Sequence, residues 1–202
     1  MTDTELIEGI IRRDRQAFGY LVSRYQEQVV KTAYYLTGNL EDAEDLSQDI
    51  FLEIMEAAKS FRHSASVSTW IYRITVNRSL NLIRRNKRRE FIGRIGQMFK
   101  LDDPDGIIQG SGNQKGEIPG QAVKPAFPIE DAENRRLIRN AVDSLPENQR
   151  IAFVLNKFEE LSYREISEVM NLSLASVESL LHRARINLQK KLAIHFPEYK
   201  KV

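Results

Sequence analysis

The stretch STWIYRITVNRSLNLIRRNKRR, residues 68–89, carries two contradictory signals. Trp70, Ile71, Ile74 and Leu82 recur at helical spacing, as in a helix that packs against a core. Arg73, Arg78, Arg84 and Arg85 recur in the same helix, as in one that meets an acid. The two signals are compatible if the helix is divided by face. Trp70, Ile71 and Ile74 are then expected to anchor it in a core, and the arginines are left for an acidic partner.

The surrounding charge is just as uneven. The net charge of +2 over 202 residues hides separate blocks. Glu41 to Glu56 holds seven acids and no Lys or Arg, whereas Arg62 to Arg94 holds nine Lys or Arg and the single acid Glu90. Ser179 to Pro197 adds four more basic residues and no acid. Such segregation points to different partners for different faces.

Both flanks of the opening stretch read as helical. Before it, Leu6, Ile7, Ile10 and Ile11 suggest a short helix. Phe18, Leu21, Val22, Tyr25, Val29 and Leu36 mark a longer one, which Gly38-Asn39 ends. Leu46, Ile50, Phe51, Ile54 and Ala58 mark a third, with its acids on the other face. After the stretch, residues 91–128 hold seven of the ten glycines and four of the six prolines. That composition predicts a flexible linker. The expected architecture is therefore all-α: two small helical domains, 1–90 and 129–202, joined by 91–128.

The second domain is clearly punctuated. Leu137, Ile138, Ala141 and Val142 form an apolar stripe. Pro146 suits the first turn of a helix carrying Ile151, Ala152, Val154, Leu155 and Phe158. Ser162 and Glu165 have capping-box spacing. Asn171-Leu172-Ser173 makes a three-residue turn, and Ser173 is placed to cap a helix from about Leu174 to Leu192. A short capped helix, a tight turn and a longer helix are the parts of a helix-turn-helix. Val177, Leu181, Ala184 and Leu188 face inward. Ala175, Ser176, Ser179, His182 and Arg183 face outward, small and polar enough to enter a major groove. Arg183, Arg185, Lys190 and Lys191 suit phosphates. Glu178 either accepts from a cytosine amino group or pairs with Arg185 or His182 on its own helix, and the second reading is preferred.

Other chemistries find little support. Without cysteine there is no disulfide or thiolate metal site, and a cytoplasmic setting is favoured. Three scattered histidines suggest no metal centre, and no cofactor is expected. No Gly-rich phosphate loop or nucleophile–base set argues for an enzyme or a small-molecule substrate. The N-terminus has no secretory pattern and no apolar run suggests membrane insertion. A stand-alone helix-turn-helix regulator and a protein-interaction module both remain open on these features.

Three segments in order resemble one family, the extracytoplasmic-function sigma factors of the sigma-70 family. DAEDLSQDIFLEIMEAAKSFR (42–62) is similar to its polymerase-binding helix, STWIYRITVNRSLNLIRR (68–85) to its −10 helix, and LPENQRIAFVLNKFEELSYREISEVMNLSLASVESLLHRAR (145–185) to its −35 region. The resemblance implies that Asp42, Asp45, Gln48 and Asp49 meet the β′ coiled coil of core RNA polymerase, with the β subunit as a further contact. It implies −10 recognition and melting by Arg62, His63, Ser64, Ser66, Arg73, Asn77, Arg78, Arg84 and Arg85. It implies −35 recognition by Ser173, Ala175, Ser176, Ser179, His182, Arg183 and Arg185. Promoter DNA and an anti-sigma factor are the other implied partners.

Overall fold

The computed structural model describes residues 1–61, 65–98 and 132–196. Among them the elements run α1 (Asp3–Ile11), α2 (Arg15–Thr37), α3 (Leu40–Ala57), a short 3-10 turn (Ala58–Ser60), α4 (Val67–Met98), α5 (Ala132–Asp143), α6 (Glu147–Lys157), α7 (Tyr163–Met170) and α8 (Leu174–Leu192). No strand occurs among the described residues. Helix α4 continues eight residues past Glu90, where the sequence placed the first domain's end. Most of 91–128 lies outside the described residues.

The helix ends follow local chemistry. Thr2 and Glu5 form a capping box on α1. Asp14 caps α2, accepting from the Gln16 amide at 2.8 Å. Gly38 ends α2 in the left-handed region at φ 82°, donating its N–H to the Tyr34 carbonyl. Ser162 and Glu165 close their box around α7, at 2.8 Å for the Ser162 amide and 3.3 Å for the Glu165 amide. Asn171 ends α7 at φ 52°, and Ser173 then caps α8 through the Ser176 amide at 3.2 Å. The helix-turn-helix is thus present as read. Pro146 sits at the N-cap of α6, one position before the first turn expected for it.

Helices α1 to α4 enclose one core, in which Leu6, Ile7, Leu21, Ile50, Ile54 and Ile71 are fully buried. Ile71 and Ile74 anchor α4 there as expected. Trp70 is only half-buried, its ring 5.0 Å from that of Phe61. Helices α5 to α8 enclose a second core around Leu155, Ile166, Val177 and Leu181.

These cores do not stand apart. Tyr72, Val76, Leu80 and Ile83 of α4, with Tyr35 and Leu36 of α2, are buried within the second core. At about 100° per residue, Tyr72, Val76, Leu80 and Ile83 form a stripe roughly opposite to Val67, Ile71 and Ile74. Helix α4 therefore serves both domains. Burying three aliphatic side chains contributes about 1.5–3 kcal/mol each, roughly 4.5–9 kcal/mol together. Closing a loop the length of the 33 residues between α4 and α5 costs about 3 kcal/mol beyond a constant. The comparison favours docking.

Polar groups complete this contact. Phe158 stacks on Tyr35 at 4.3 Å. Tyr72 donates its hydroxyl to Glu159 at 3.0 Å, and Lys31 Nζ lies 4.0 Å from the same carboxylate. In the second core Arg150 is almost wholly buried, 3.7 Å from Asp143, which also bonds Arg139 at 3.2 Å. Burial lowers the pKa of Arg150, and Asp143 opposes the shift.

Burial pushes the Glu159 carboxyl above the usual range, against the pull of Lys31 and the Tyr72 hydroxyl and with a small push from Glu27. The charged form is therefore the one that docking penalises. That penalty is absent below the ordinary carboxylate pKa and complete above the raised one. A Glu159→Gln chain, which keeps an acceptor for Tyr72, is expected to be the more stable at about pH 8, with the difference vanishing as pH falls through the carboxylate range. Thermal unfolding across that range reads it, and a pH-independent difference contradicts it.

Candidate nucleic-acid and partner interfaces

Three faces carry the residues singled out by the sequence. On α3, Ala43, Leu46, Ile50, Phe51 and Ile54 are buried, which turns Asp45, Gln48 and Asp49 outward, with Asp42 half-exposed. These four are brought together. The same helix exposes Leu52 and Met55, at 54% and 44%. The sequence reading overlooked both, although neither fits the Leu46–Ile50–Ile54 arc. The face is thus acidic with an apolar centre, a composition suited to a protein partner more than to solvent alone.

On α8 the outward set is also contiguous. Ser173, Ala175, Ser176, Ser179, His182 and Arg183 are all exposed. A shallow open groove runs beside them, lined by Asn148, Leu172, Ala175, Ser176, Ser179, Leu180 and Arg183. Asn148 of α6 was not foreseen, because nothing local in the sequence places α6 beside α8. Arg185 donates to the Tyr163 hydroxyl at 2.8 Å. The expected pairing of Glu178 with Arg185 or His182 is absent among the described ion pairs. Arg185 instead reaches across to Tyr163 at the start of α7.

The third set is divided. Arg62, His63 and Ser64 lie outside the described residues. Ser66 caps α4: its hydroxyl accepts from the Thr69 amide at 3.0 Å. Arg78 pairs with Glu53 of α3, so one basic residue is matched by the acidic block. Arg73 donates from Nε and Nη2 to the Glu168 carbonyl of α7, at 2.9 and 2.6 Å. Arg84 forms a two-pronged pair with Glu147 of α6, 3.1 Å from Nε to Oε2. Asn77 and Arg85 are exposed. At about 100° per residue, Trp70, Arg73, Asn77 and Arg84 share one edge of α4, between its two apolar stripes. Arg78 and Arg85 fall on the side of the first domain.

Among the described residues there is no cluster of three His, Asp or Glu able to hold a metal, and no helix long and apolar enough to cross a membrane.

Comparison with known proteins places the chain in a class. Residues 21–89 match the family model Sigma-70 region 2, and residues 135–188 match Sigma-70, region 4. The ECF RNA polymerase sigma-E factor of Escherichia coli K12 is 30% identical over 194 residues, 95% of each chain. The ECF RNA polymerase sigma factor SigW of Bacillus subtilis is 28% identical over 186 residues, 92% of this chain and 94% of its own. The chain belongs to the ECF RNA polymerase sigma factors. Its fold is shared with CnrH, solved in complex with the cytosolic domain of CnrY, at TM-score 0.65 and 20% identity over 95% of this chain and 97% of that one. It is shared too with the sigma factor RpoE of Bartonella quintana, solved with the anti-sigma factor NepR, at TM-score 0.56 and 20% identity over 88% and 97%.

The capping role of Ser66 separates structure from recognition at that position. Ser66→Ala is expected to cost about 1 kcal/mol of stability, read by denaturant unfolding, whereas Ser66→Asp, which keeps a cap acceptor, should recover most of it. Equal losses in both variants would show that the cap contributes nothing.

Proposed function

We propose that this chain binds core RNA polymerase, directs it to promoters through the −35 and −10 elements, and nucleates promoter melting. The observation that carries this reading is the coexistence, on one chain of this family, of an acidic α3 face, a basic edge on α4 and an unobstructed helix-turn-helix. Residues 1–90 supply polymerase and −10 contacts, and 129–202 supply −35 contacts. Asp42, Asp45, Gln48 and Asp49 dock on the β′ coiled coil, with Leu52 and Met55 as the apolar centre, and the β subunit makes further contacts. Ser173, Ala175, Ser176, Ser179, His182, Arg183 and Arg185 meet the −35 duplex. Arg62, His63, Ser64, Ser66, Arg73, Asn77, Arg78, Arg84 and Arg85 serve the −10 element. An anti-sigma factor, of the kind seen with the structural relative RpoE, is a further partner. The protein is cytoplasmic and not an enzyme.

Magnitudes set the division of labour. Opening about ten base pairs costs on the order of 14 kcal/mol, at about 1.4 kcal/mol per step. Stacking and capture return only about 1–3 kcal/mol per base. The chain alone therefore cannot hold a bubble, and its part is to trap one or two unstacked bases while polymerase supplies the rest.

Asn77 tests the assignment, since it is exposed and the fold does not use it. Asn77→Ala is expected to lower open-complex formation about tenfold, the loss of one base contact of 1–3 kcal/mol, with the thermal midpoint unchanged. Run-off transcription with core polymerase on fragments of the source genome provides the assay. No transcript dependent on the chain would overturn the function, and an unchanged yield from Asn77→Ala would remove Asn77 from the −10 surface.

A further inference from the structure

We propose that Glu53 of α3 is a positioning residue for promoter DNA: it braces Arg78 of α4 through Nε and leaves both Nη groups of that arginine for a backbone phosphate. Arg85 and Arg89 continue the same phosphate track along α4. The inference rests on the −10 role proposed above for α4 and assigns the phosphate contacts within it.

Among the described residues of the first domain, one acid from another helix pairs with the arginines of α4, and it is Glu53, bonded to Arg78. At about 100° per residue, Glu53 falls within about 40° of Asp42 and Asp49 on α3. It therefore borders the acidic face where that face meets α4. The pair is exposed, 45% for Arg78 and 33% for Glu53, so it adds little to stability. Its geometry says more. Only Nε of Arg78 donates to the carboxylate. Arg73 and Arg84 each spend both Nε and Nη2 on their partners. Arg78 thus keeps Nη1 and Nη2 without a bond among the described residues.

A guanidinium is planar, and its donors lie in a fixed fork. A bond at Nε holds that plane, and the edge formed by Nη1 and Nη2 stays open for a two-pronged contact with phosphate. An arginine held in place beforehand also loses less freedom when the phosphate arrives. Arg85 and Arg89 lie within about 20° of Arg78 around α4, one on either side. Both are exposed and make no ion pair among the described residues. At 1.5 Å per residue the steps from Arg78 to Arg85 and on to Arg89 are about 10 Å and 6 Å. A strand rises about 3.4 Å per nucleotide, so the three arginines meet roughly every third and every second phosphate. Asn77 adjoins Arg78 in the chain, so the track holds the backbone of the strand whose base Asn77 reads.

Binding of the full chain to a randomised single-stranded DNA pool, without polymerase, tests the brace, because phosphate contacts carry no sequence information. Arg78→Ala, Arg85→Ala and Arg89→Ala are each expected to flatten the log–log salt dependence by about 0.7. Glu53→Ala removes an acid from beside the strand, and charge alone would tighten binding. The brace predicts the opposite: binding about two- to tenfold weaker, from the rotamer freedom returned to Arg78. Glu53→Gln, which keeps an acceptor for Nε, is expected to recover most of that loss. In an Arg78→Ala background, Glu53→Ala should no longer weaken binding. The thermal midpoint should change little in every Glu53 variant, as for any exposed pair. Binding by Glu53→Ala as tight as that of the unmodified chain, or tighter, overturns the brace. So does an equal loss in the Arg78→Ala background. No binding by the unmodified chain at low salt, or an unchanged salt slope in the three arginine variants, overturns the track. Polymerase is absent from the assay, so a lost polymerase contact cannot mimic these results. Failure of the −10 reading would show separately, as an unchanged open-complex yield from Asn77→Ala in the polymerase-bound chain.

Discussion

Ile71 and Ile74 are buried in one core and Tyr72, Val76, Leu80 and Ile83 in another, and both demands fall on the same turns of α4. A helix with apolar stripes on opposite sides cannot bury both in a small bundle of its own. The first stripe is covered by α1 to α3. The second is covered by α5 to α8, which come from beyond the 33 residues that follow α4. The relative position of the domains follows from this one requirement, and bonds from Arg139 to the Tyr34 carbonyl, from Lys31 to the Phe158 carbonyl and from Arg73 to the Glu168 carbonyl add to it.

The same constraint sets what remains for chemistry. With two sides of α4 apolar, the edge carrying Arg73, Asn77 and Arg84 lies beside the docked domain. Polar groups there are drawn into its helix ends. The acidic face of α3 and the outer face of α8 are set by separate arcs of their own helices, so they remain open. The chain thus presents the acidic face of α3 and the outer face of α8 freely, while Arg73 and Arg84 on the edge of α4 are engaged internally.

Much of this was legible in the sequence because it is local. Caps at Ser162 and Ser173, the stop at Gly38 and the inward arc Val177–Leu181–Ala184–Leu188 depend on residues a few positions apart, and they stand where they were read. The outward sets on α3 and α8 follow from the same arcs. What escaped the reading is long-range. Tyr72, Val76, Leu80 and Ile83 sit at spacings of four, four and three, a visible pattern, but the stripe through Ile71 and Ile74 already satisfied the expectation of one buried face. The partners of Arg73 and Arg84 lie 95 and 63 residues away in the chain, beyond any periodicity. Trp70 was expected to be an anchor and is only half-buried, because it falls on the edge between the stripes and leans on Phe61.

Hydroxyl-radical footprinting of aromatic side chains in the free, full chain tests the shared helix most directly. Tyr20, 60% exposed, is an internal reference for a reactive ring. Docking predicts that Tyr35, Tyr72 and Phe158 are strongly protected relative to Tyr20 without any partner present. Tyr72 and Phe158 reacting as readily as Tyr20 in a folded chain would contradict a helix shared between the two domains.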